Sequence, residues 1–130
     1  MQIDLFTLFP AFFESPLSVS LPGRAIRDGV LAVRCIDFRK YATDRHRTVD
    51  DTPYGGGPGM LLRPEPIVAA FEDNPLPTGG RRIYLTPWGR PLRQPLVEEL
   101  AALPALQMLC GRYEGVDERV IDGWIDDCIS

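Results

Sequence analysis

Apolar positions along the chain fall in short runs that alternate between strand-like and helix-like spacing. Gln2 to Leu8 is a β-rich run ending at Phe9-Pro10, and it predicts a first strand. A short helical turn through Ala11-Phe12-Phe13 follows. A helix is then expected near Leu21 to Asp28, with Pro22 at its start and Gly29 as its stop. Val30 to Ile36 predicts the second strand, whereas Arg39 to Met60 carries no apolar period. A helix from about Glu65 to Glu72 starts behind Pro64 and Pro66 and sets Ile67, Val68 and Phe71 on its buried side. Asn74 to Gly80 is a turn cluster. Arg82 to Thr86 predicts a third strand, Pro87 to Pro91 a tight loop, and Gln94 to Leu103 a helix. Leu106 to Cys110 predicts a fourth strand, Gly111 to Gly115 a loop, and Val116 to Trp124 the last helix.

Strands that alternate with helices imply βαβ units, hence an α/β fold with an open, mostly parallel sheet covered by helices on both faces. Ligands of such sheets bind at loops beyond the carboxyl ends of the strands. Arg39–Met60, Pro87–Pro91 and Gly111–Gly115 are the loops in that position.

Composition narrows the class. The chain has 130 residues, 45% hydrophobic and 25% charged, which suits one globular domain and excludes a disordered tail or a coiled coil. No apolar run is long enough to span a bilayer, so no membrane partner is expected. Met1-Gln2-Ile3-Asp4 lacks the basic start of a signal peptide. Cys35, Cys110 and Cys128 are odd in number and lack metal-ligand spacing, so they read as reduced thiols of a cytoplasmic protein. The net charge of −4 argues against a nucleic-acid partner, but its distribution does not. Arg24 to Arg47 holds seven basic and three acidic residues, a local +4, while Arg112 to Ser130 holds two basic and six acidic, a local −4.

Pro53-Tyr54-Gly55-Gly56-Gly57-Pro58-Gly59-Met60 is the least ordinary stretch. Four glycines in five positions let backbone amides approach a ligand closely. No Gly-Lys-Ser/Thr follows, and no apolar strand leads into it, so it is neither a P-loop nor a dinucleotide fingerprint. A free linker would hold Ser and Gly rather than Tyr, Pro and Met. Upstream, Arg45 and Arg47 suit phosphates, and His46 and Asp50 suit a base edge; a carboxylate accepts well from the N1–H and N2–H₂ edge of guanine. The same run also reads as a solvated charged loop. Cys110-Gly111-Arg112-Tyr113-Glu114-Gly115 follows an apolar strand, and its Gly pair brackets three functional side chains as a cofactor cradle would. The plainer alternative is a surface pair between Arg112 and Glu114. Cys110 reads as a small core residue, since one histidine flanked by arginines completes no nucleophilic set. Trp88 suits stacking on a base, although a lone Trp in a turn is more often packing. Trp124 reads as core or interface, and Asp122, Asp126 and Asp127 as a solvated face.

These motifs together resemble the TrmD family of bacterial tRNA (guanine-N1)-methyltransferases, in the SPOUT superfamily. The resemblance runs from Leu8-Phe9-Pro10 through Gly23-Arg24-Ala25, Asp44 to Asp51, Pro53 to Met60, Tyr84-Leu85 and Cys110 to Arg119. It implies methyl transfer from S-adenosylmethionine to N1 of the guanosine 3′ of the tRNA anticodon, by a homodimer with a knotted fold. It further implies a cofactor pocket at Tyr84, Leu85, Thr86, Pro87, Gly89, Gly111, Tyr113 and Gly115. Glu114 and Arg112 would be catalytic, with Mg²⁺ at Glu114, and Arg45, His46, Arg47, Asp50, Pro58 and Gly59 would meet the RNA and its guanine. N1 of guanine is protonated at neutral pH, so such a site needs a carboxylate base or a means to stabilise the anion.

In the family an Ile-Gly-Asp-Tyr-Val-Leu-Ser-Gly-Gly-Glu-like segment comes next, closing the pocket and completing the knot; the proposed catalytic Asp and a helical tRNA-binding domain come later. This chain stops at Asp127-Cys128-Ile129-Ser130. Residues 1–130 are therefore expected to be the N-terminal part of the S-adenosylmethionine-binding domain, inactive alone and with apolar surface exposed. The competing reading is a non-catalytic RNA-binding or dimerisation module. A nucleotide-binding enzyme built on Gly55–Gly59 is weaker, because no Lys lies near those glycines.

Overall fold

The computed structural model describes residues 1–130. In chain order the elements are β1 (Gln2–Thr7), α1 (Glu14–Ser18), α2 (Ser20–Arg27), β2 (Ala32–Asp37), β3 (Asp50–Asp51), β4 (Leu61–Leu62), α3 (Pro64–Asp73), β5 (Arg81–Arg90), α4 (Gln94–Ala101), β6 (Ala105–Cys110), α5 (Glu118–Trp124) and β7 (Asp127–Ile129). Short 3-10 turns lie at Pro10–Phe13 and Phe38–Tyr41. Five strands form one sheet in the order β2-β1-β6-β5-β7, and every pairing in it is parallel.

Alternation along the strands divides the core between the two faces. Phe6 of β1, Tyr84 of β5 and Leu109 of β6 are buried with Ile67 and Phe71 of α3 and Val120 of α5. On the other face Ile83, Leu106 and Ile129 pack against Leu96 and Leu100 of α4. Pro64 opens α3, where its missing N–H costs nothing. Gly29, at φ 75°, follows the end of α2 as the spacing predicts.

One polar row crosses the first face. Arg34 of β2, Asp4 of β1, Gln107 of β6 and Arg82 of β5 are successive cross-strand partners. Arg34 grips Asp4 bidentately at 2.8 and 2.9 Å, and Gln107 Nε2 donates to Asp4 at 3.1 Å and to the Asn74 carbonyl at 2.7 Å. Arg82 donates twice to Gln107 Oε1, at 2.9 and 2.7 Å. Its guanidinium lies 4.2 Å from the centre of the Phe71 ring. Burial raises the Asp4 carboxyl, but hydrogen bonds from Arg34, Gln107 and Gln2 outweigh it and hold the group below its ordinary value. Burial also pulls the Arg82 guanidinium below its ordinary value.

Several expectations change. Pro87–Arg90 is not a loop: β5 continues through it, and after a register shift Arg90 pairs with Ile129. Asp126 and Asp127 are not merely a solvated face. Asp126 accepts the Arg82 amide N–H at 2.8 Å, and Asp127 opens β7, ion-paired to Arg90 and, more distantly, Arg81. The last helix begins at Glu118 rather than Val116, because Val116 bridges Leu62 and Asp117 caps the helix. Val30 and Leu31 precede β2, whereas α1 and the antiparallel pair of β3 with β4 are additional elements.

Gln107 is fully buried and holds both neighbours of the row at once. Gln107→Leu should therefore destabilise the fold by about 3–5 kcal/mol, the usual cost of leaving a buried charge, here Arg82, without its partner. Arg81→Ala, which removes a surface ion pair with Glu99 and the longer one with Asp127, should cost under about 1 kcal/mol. Urea unfolding of the two variants measures the contrast.

Candidate functional site

The carboxyl ends of β5 and β6 carry the site. Beyond β6, Gly111 to Gly115 turns sharply, with Tyr113 at φ 60° and Gly115 at φ 143°. Gly111 lies under the Tyr84 ring, where an added Cβ would stand 3.1 Å from it. A cleft of about 260 Å³ is formed by Tyr84 to Trp88 on one side and Gly111 to Gly115 on the other. It adjoins a larger cleft of about 460 Å³ that shares Tyr84, Thr86, Trp88, Glu114 and Gly115 and is closed by Leu61, Val116 and Ile121. Tyr84, Leu85, Thr86, Pro87, Gly111, Tyr113 and Gly115, the residues the resemblance assigns to a cofactor pocket, all line the smaller cleft. Gly89 lines neither cleft; its bare Cα lets the Ile129 backbone of β7 pass where a Cβ would collide with it.

The glycine-rich stretch reaches the same place by way of β4. Leu62 pairs with Asp50 on one side and Val116 on the other, so the Asp44–Met60 stretch and the Gly111–Gly115 loop become neighbours. The Glu114 amide donates to the Met60 carbonyl at 3.0 Å, and the Leu62 amide to Gly115 at 2.9 Å. Gly59 has φ 86°, and a Cβ there would fall inside the Glu114 side chain. Glu114 therefore stands where the two loops touch.

Arg45, His46 and Arg47 sit exposed on a turn in which Asp44 accepts from the Thr48 amide at 2.8 Å and from its hydroxyl at 2.5 Å. Those hydrogen bonds, the hydroxyl's first, hold the Asp44 carboxyl below its ordinary value. Asp50 is half-buried at the start of β3 and Pro58 is exposed; neither lines the two clefts. Arg112 does not pair with Glu114 but lies over Phe9, 5.0 Å from the ring centre, at the edge of an apolar groove of about 660 Å³ along Thr7–Phe13. Trp88 is 90% exposed, so it is not packing. Leu61, Glu118, Ile121 and Cys128 complete the larger cleft, and no local motif marks them because they arrive from three separate elements, β4, α5 and β7.

The glycine cradle and adjoining clefts fit a nucleoside-sized cofactor such as S-adenosylmethionine. Nowhere do three His, Cys, Asp or Glu side chains converge as a ready-made metal site, so the arrangement lends the Mg²⁺ expected at Glu114 no support. No helix is long and apolar enough to cross a membrane.

A family model described as tRNA (guanine-1)-methyltransferase TrmD matches residues 1–130. A tRNA (guanine-N(1)-)-methyltransferase of Gloeobacter violaceus is 57% identical over 121 residues, 92% of this chain and 53% of that protein. One from Synechococcus elongatus is 50% identical over 131 residues, 100% of this chain and 55% of that protein. The crystal structure of tRNA (m1G37) methyltransferase from Aquifex aeolicus superposes with a TM-score of 0.88 at 38% identity, covering 100% of this chain and 59% of its own. The chain spans about half the length of the curated relatives it matches.

Two outcomes follow from the site geometry. Gly59→Ala should strain a left-handed residue by about 1–2 kcal/mol and push the two loops apart. Amide exchange at Glu114 and Leu62 should then accelerate, while the core strands stay protected. Burial pushes the Cys110 thiol from an ordinary 9.0 up to about 11. Its contribution to stability is present below pH 9 and lost as pH rises through about 11. Alkylation of Cys110 should accordingly rise near pH 9 in urea but only near pH 11 in the native chain.

Proposed function

The chain belongs to the tRNA (guanine-1)-methyltransferase TrmD family, and from that premise we propose that it forms the cofactor- and guanine-facing part of a methyltransferase. The reaction moves a methyl group from S-adenosylmethionine to N1 of the guanosine 3′ of the tRNA anticodon. The protein is a cytoplasmic homodimer, and residues 1–130 are the N-terminal part of its S-adenosylmethionine-binding domain. The observation that carries this reading is the meeting of the glycine-rich stretch and the Gly111–Gly115 loop at Glu114.

S-adenosylmethionine, when bound, would supply an activated methyl on a sulfonium sulfur and leave as S-adenosylhomocysteine, with the N1 proton of the guanine passing to a carboxylate base that the family carries beyond residue 130. Tyr84 to Pro87 and Gly111 to Gly115 hold the cofactor, and the buried Tyr84 ring backs the cradle. Burial keeps the Tyr84 phenol above its ordinary value, so it stays neutral at physiological pH. Glu114 lies beside the reacting centre and offsets the sulfonium charge. Arg112 brings a positive charge to the same loop, suited to an N1-deprotonated guanine. Asp50 reads the guanine edge, with Pro58 and Gly59 shaping its seat, and the exposed Arg45-His46-Arg47 turn meets the RNA backbone. Alignment of methyl and N1 on one rigid sheet edge supplies much of the remaining rate.

The exposed Arg45–Arg47 turn would serve a non-catalytic RNA-binding module equally well, and the cleft is what favours the enzyme. Thermal unfolding with S-adenosylhomocysteine, using ATP as control, separates them. The expected result is stabilisation by the first ligand only, about 2.7 kcal/mol at a hundredfold excess over Kd. Stabilisation by ATP in its place, or by neither ligand, would remove the cofactor reading.

A further inference from the structure

Trp88 is the large side chain that the proposed reaction leaves without a task. It is 90% exposed, yet its backbone is held on both sides. Its amide reaches Thr86 Oγ1 at 3.5 Å, and the following residue, Gly89, is pressed against Ile129 of β7. An indole kept in water on an ordered strand forgoes the burial that makes Trp useful in a core. It stands where both clefts meet and lines each of them. The larger cleft adds Leu61, Val116 and Ile121, so an aromatic face and an aliphatic wall bound one slot. A slot of that kind takes a flat ring.

Charge decides which ring. Glu114 and Glu118 line the larger cleft and no Arg or Lys does; of the two clefts Arg112 lines only the smaller, and it leans over Phe9. A phosphate brought there would be repelled, whereas a cation would be attracted. The basic residues that suit phosphate stand on the Arg45–Arg47 turn, outside the cleft.

Building on the cofactor reading above, we propose that Trp88 stacks on the adenine ring of S-adenosylmethionine, and that Glu118 acts with Glu114 to select a cationic adenosyl ligand over a phosphorylated one. Trp88 is then a binding residue and Glu118 a specificity residue.

Tryptophan emission during titration with S-adenosylhomocysteine tests this, alongside thermal shift. In the unaltered chain the emission should change with the same saturation as the thermal shift. Trp88→Phe, which keeps an aromatic face, should bind within about twofold and lose the emission change. Trp88→Ala should bind about tenfold more weakly, the size expected for one base–aromatic stack. Glu118→Gln should narrow the preference for S-adenosylmethionine, which carries the sulfonium charge, over AMP severalfold. Binding to Trp88→Ala at unaltered affinity, or an emission change that persists in Trp88→Phe and so belongs to Trp124, would overturn the stacking. An unchanged preference in Glu118→Gln would overturn the selection. If S-adenosylhomocysteine shifts the unaltered chain but these variants behave alike, only this inference falls. If it shifts nothing, the cofactor reading falls and takes the inference with it.

Discussion

The row of side chains from Arg34 through Asp4 and Gln107 to Arg82 sets the alignment on which the rest of the structure depends. Apolar contacts between parallel strands tolerate small displacements, but a buried carboxylate, amide and guanidinium do not. Each member of the row is satisfied only when its partner stands directly opposite, and every buried polar side-chain atom in the chain has a hydrogen-bond partner. A slip of one residue would turn these groups to the other face and strand them among the leucines of α4. Arg82 shows the constraint most sharply. Its hydrogen-bond acceptors are an amide and the Trp124 backbone carbonyl, and the Phe71 ring covers it. Such a cation is held by geometry more than by charge.

With the register set, β6 ends at Cys110 beside Leu85 while β5 runs on past it, and the chemistry gathers at that step. Tyr84 and Leu109 are cross-strand partners, as are Leu85 and Cys110, so the residues after Cys110 emerge beside Tyr84. The close approach of Gly111 to the Tyr84 ring follows from that pairing. The second half of the site is attached by backbone hydrogen bonds. Leu62 joins Asp50 to Val116, and the Glu114 amide bonds Met60, so a long irregular stretch is tied to the sheet at its useful end. The remainder, including Tyr54 and Gly55 to Gly57, stays in solvent.

This division explains what the amino-acid order discloses. Gly111 to Gly115 was legible because a short apolar strand leads into a glycine-bracketed polar run, a wholly local pattern. The parallel sheet and its two helical faces were legible through the alternation of spacings. Pro87 to Arg90 read as a turn because proline and glycine normally interrupt strands. There the strand is an irregular one, and β7 lies against it only after a register shift, with Gly89 admitting the Ile129 backbone. That partner lies about forty residues away, outside any local window. The acidic end misled for a similar reason: Asp126 and Asp127 look like a solvated run until Arg82 and Arg90 are placed beside them. Leu61, Glu118 and Ile121 carried no signal at all, since their role exists only once the clefts form.

The net charge of −4 conceals a separation that the fold turns into geography. The basic stretch ends in an exposed turn, where Arg45 and Arg47 extend into solvent and Arg39 holds the Arg47 carbonyl at 3.3 Å. The acidic stretch wraps the larger cleft and places Glu114 and Glu118 along it. A protein whose two substrates are a polyanion and a cationic nucleoside gains from keeping these fields apart, because each attracts one partner and repels the other. A uniformly basic surface would hold the RNA more tightly but would oppose the sulfonium. On the proposed reaction the mild overall acidity is therefore no argument against an RNA substrate. It is the sum of two opposed local fields, and Glu114, where the loops touch, lies on the boundary between them.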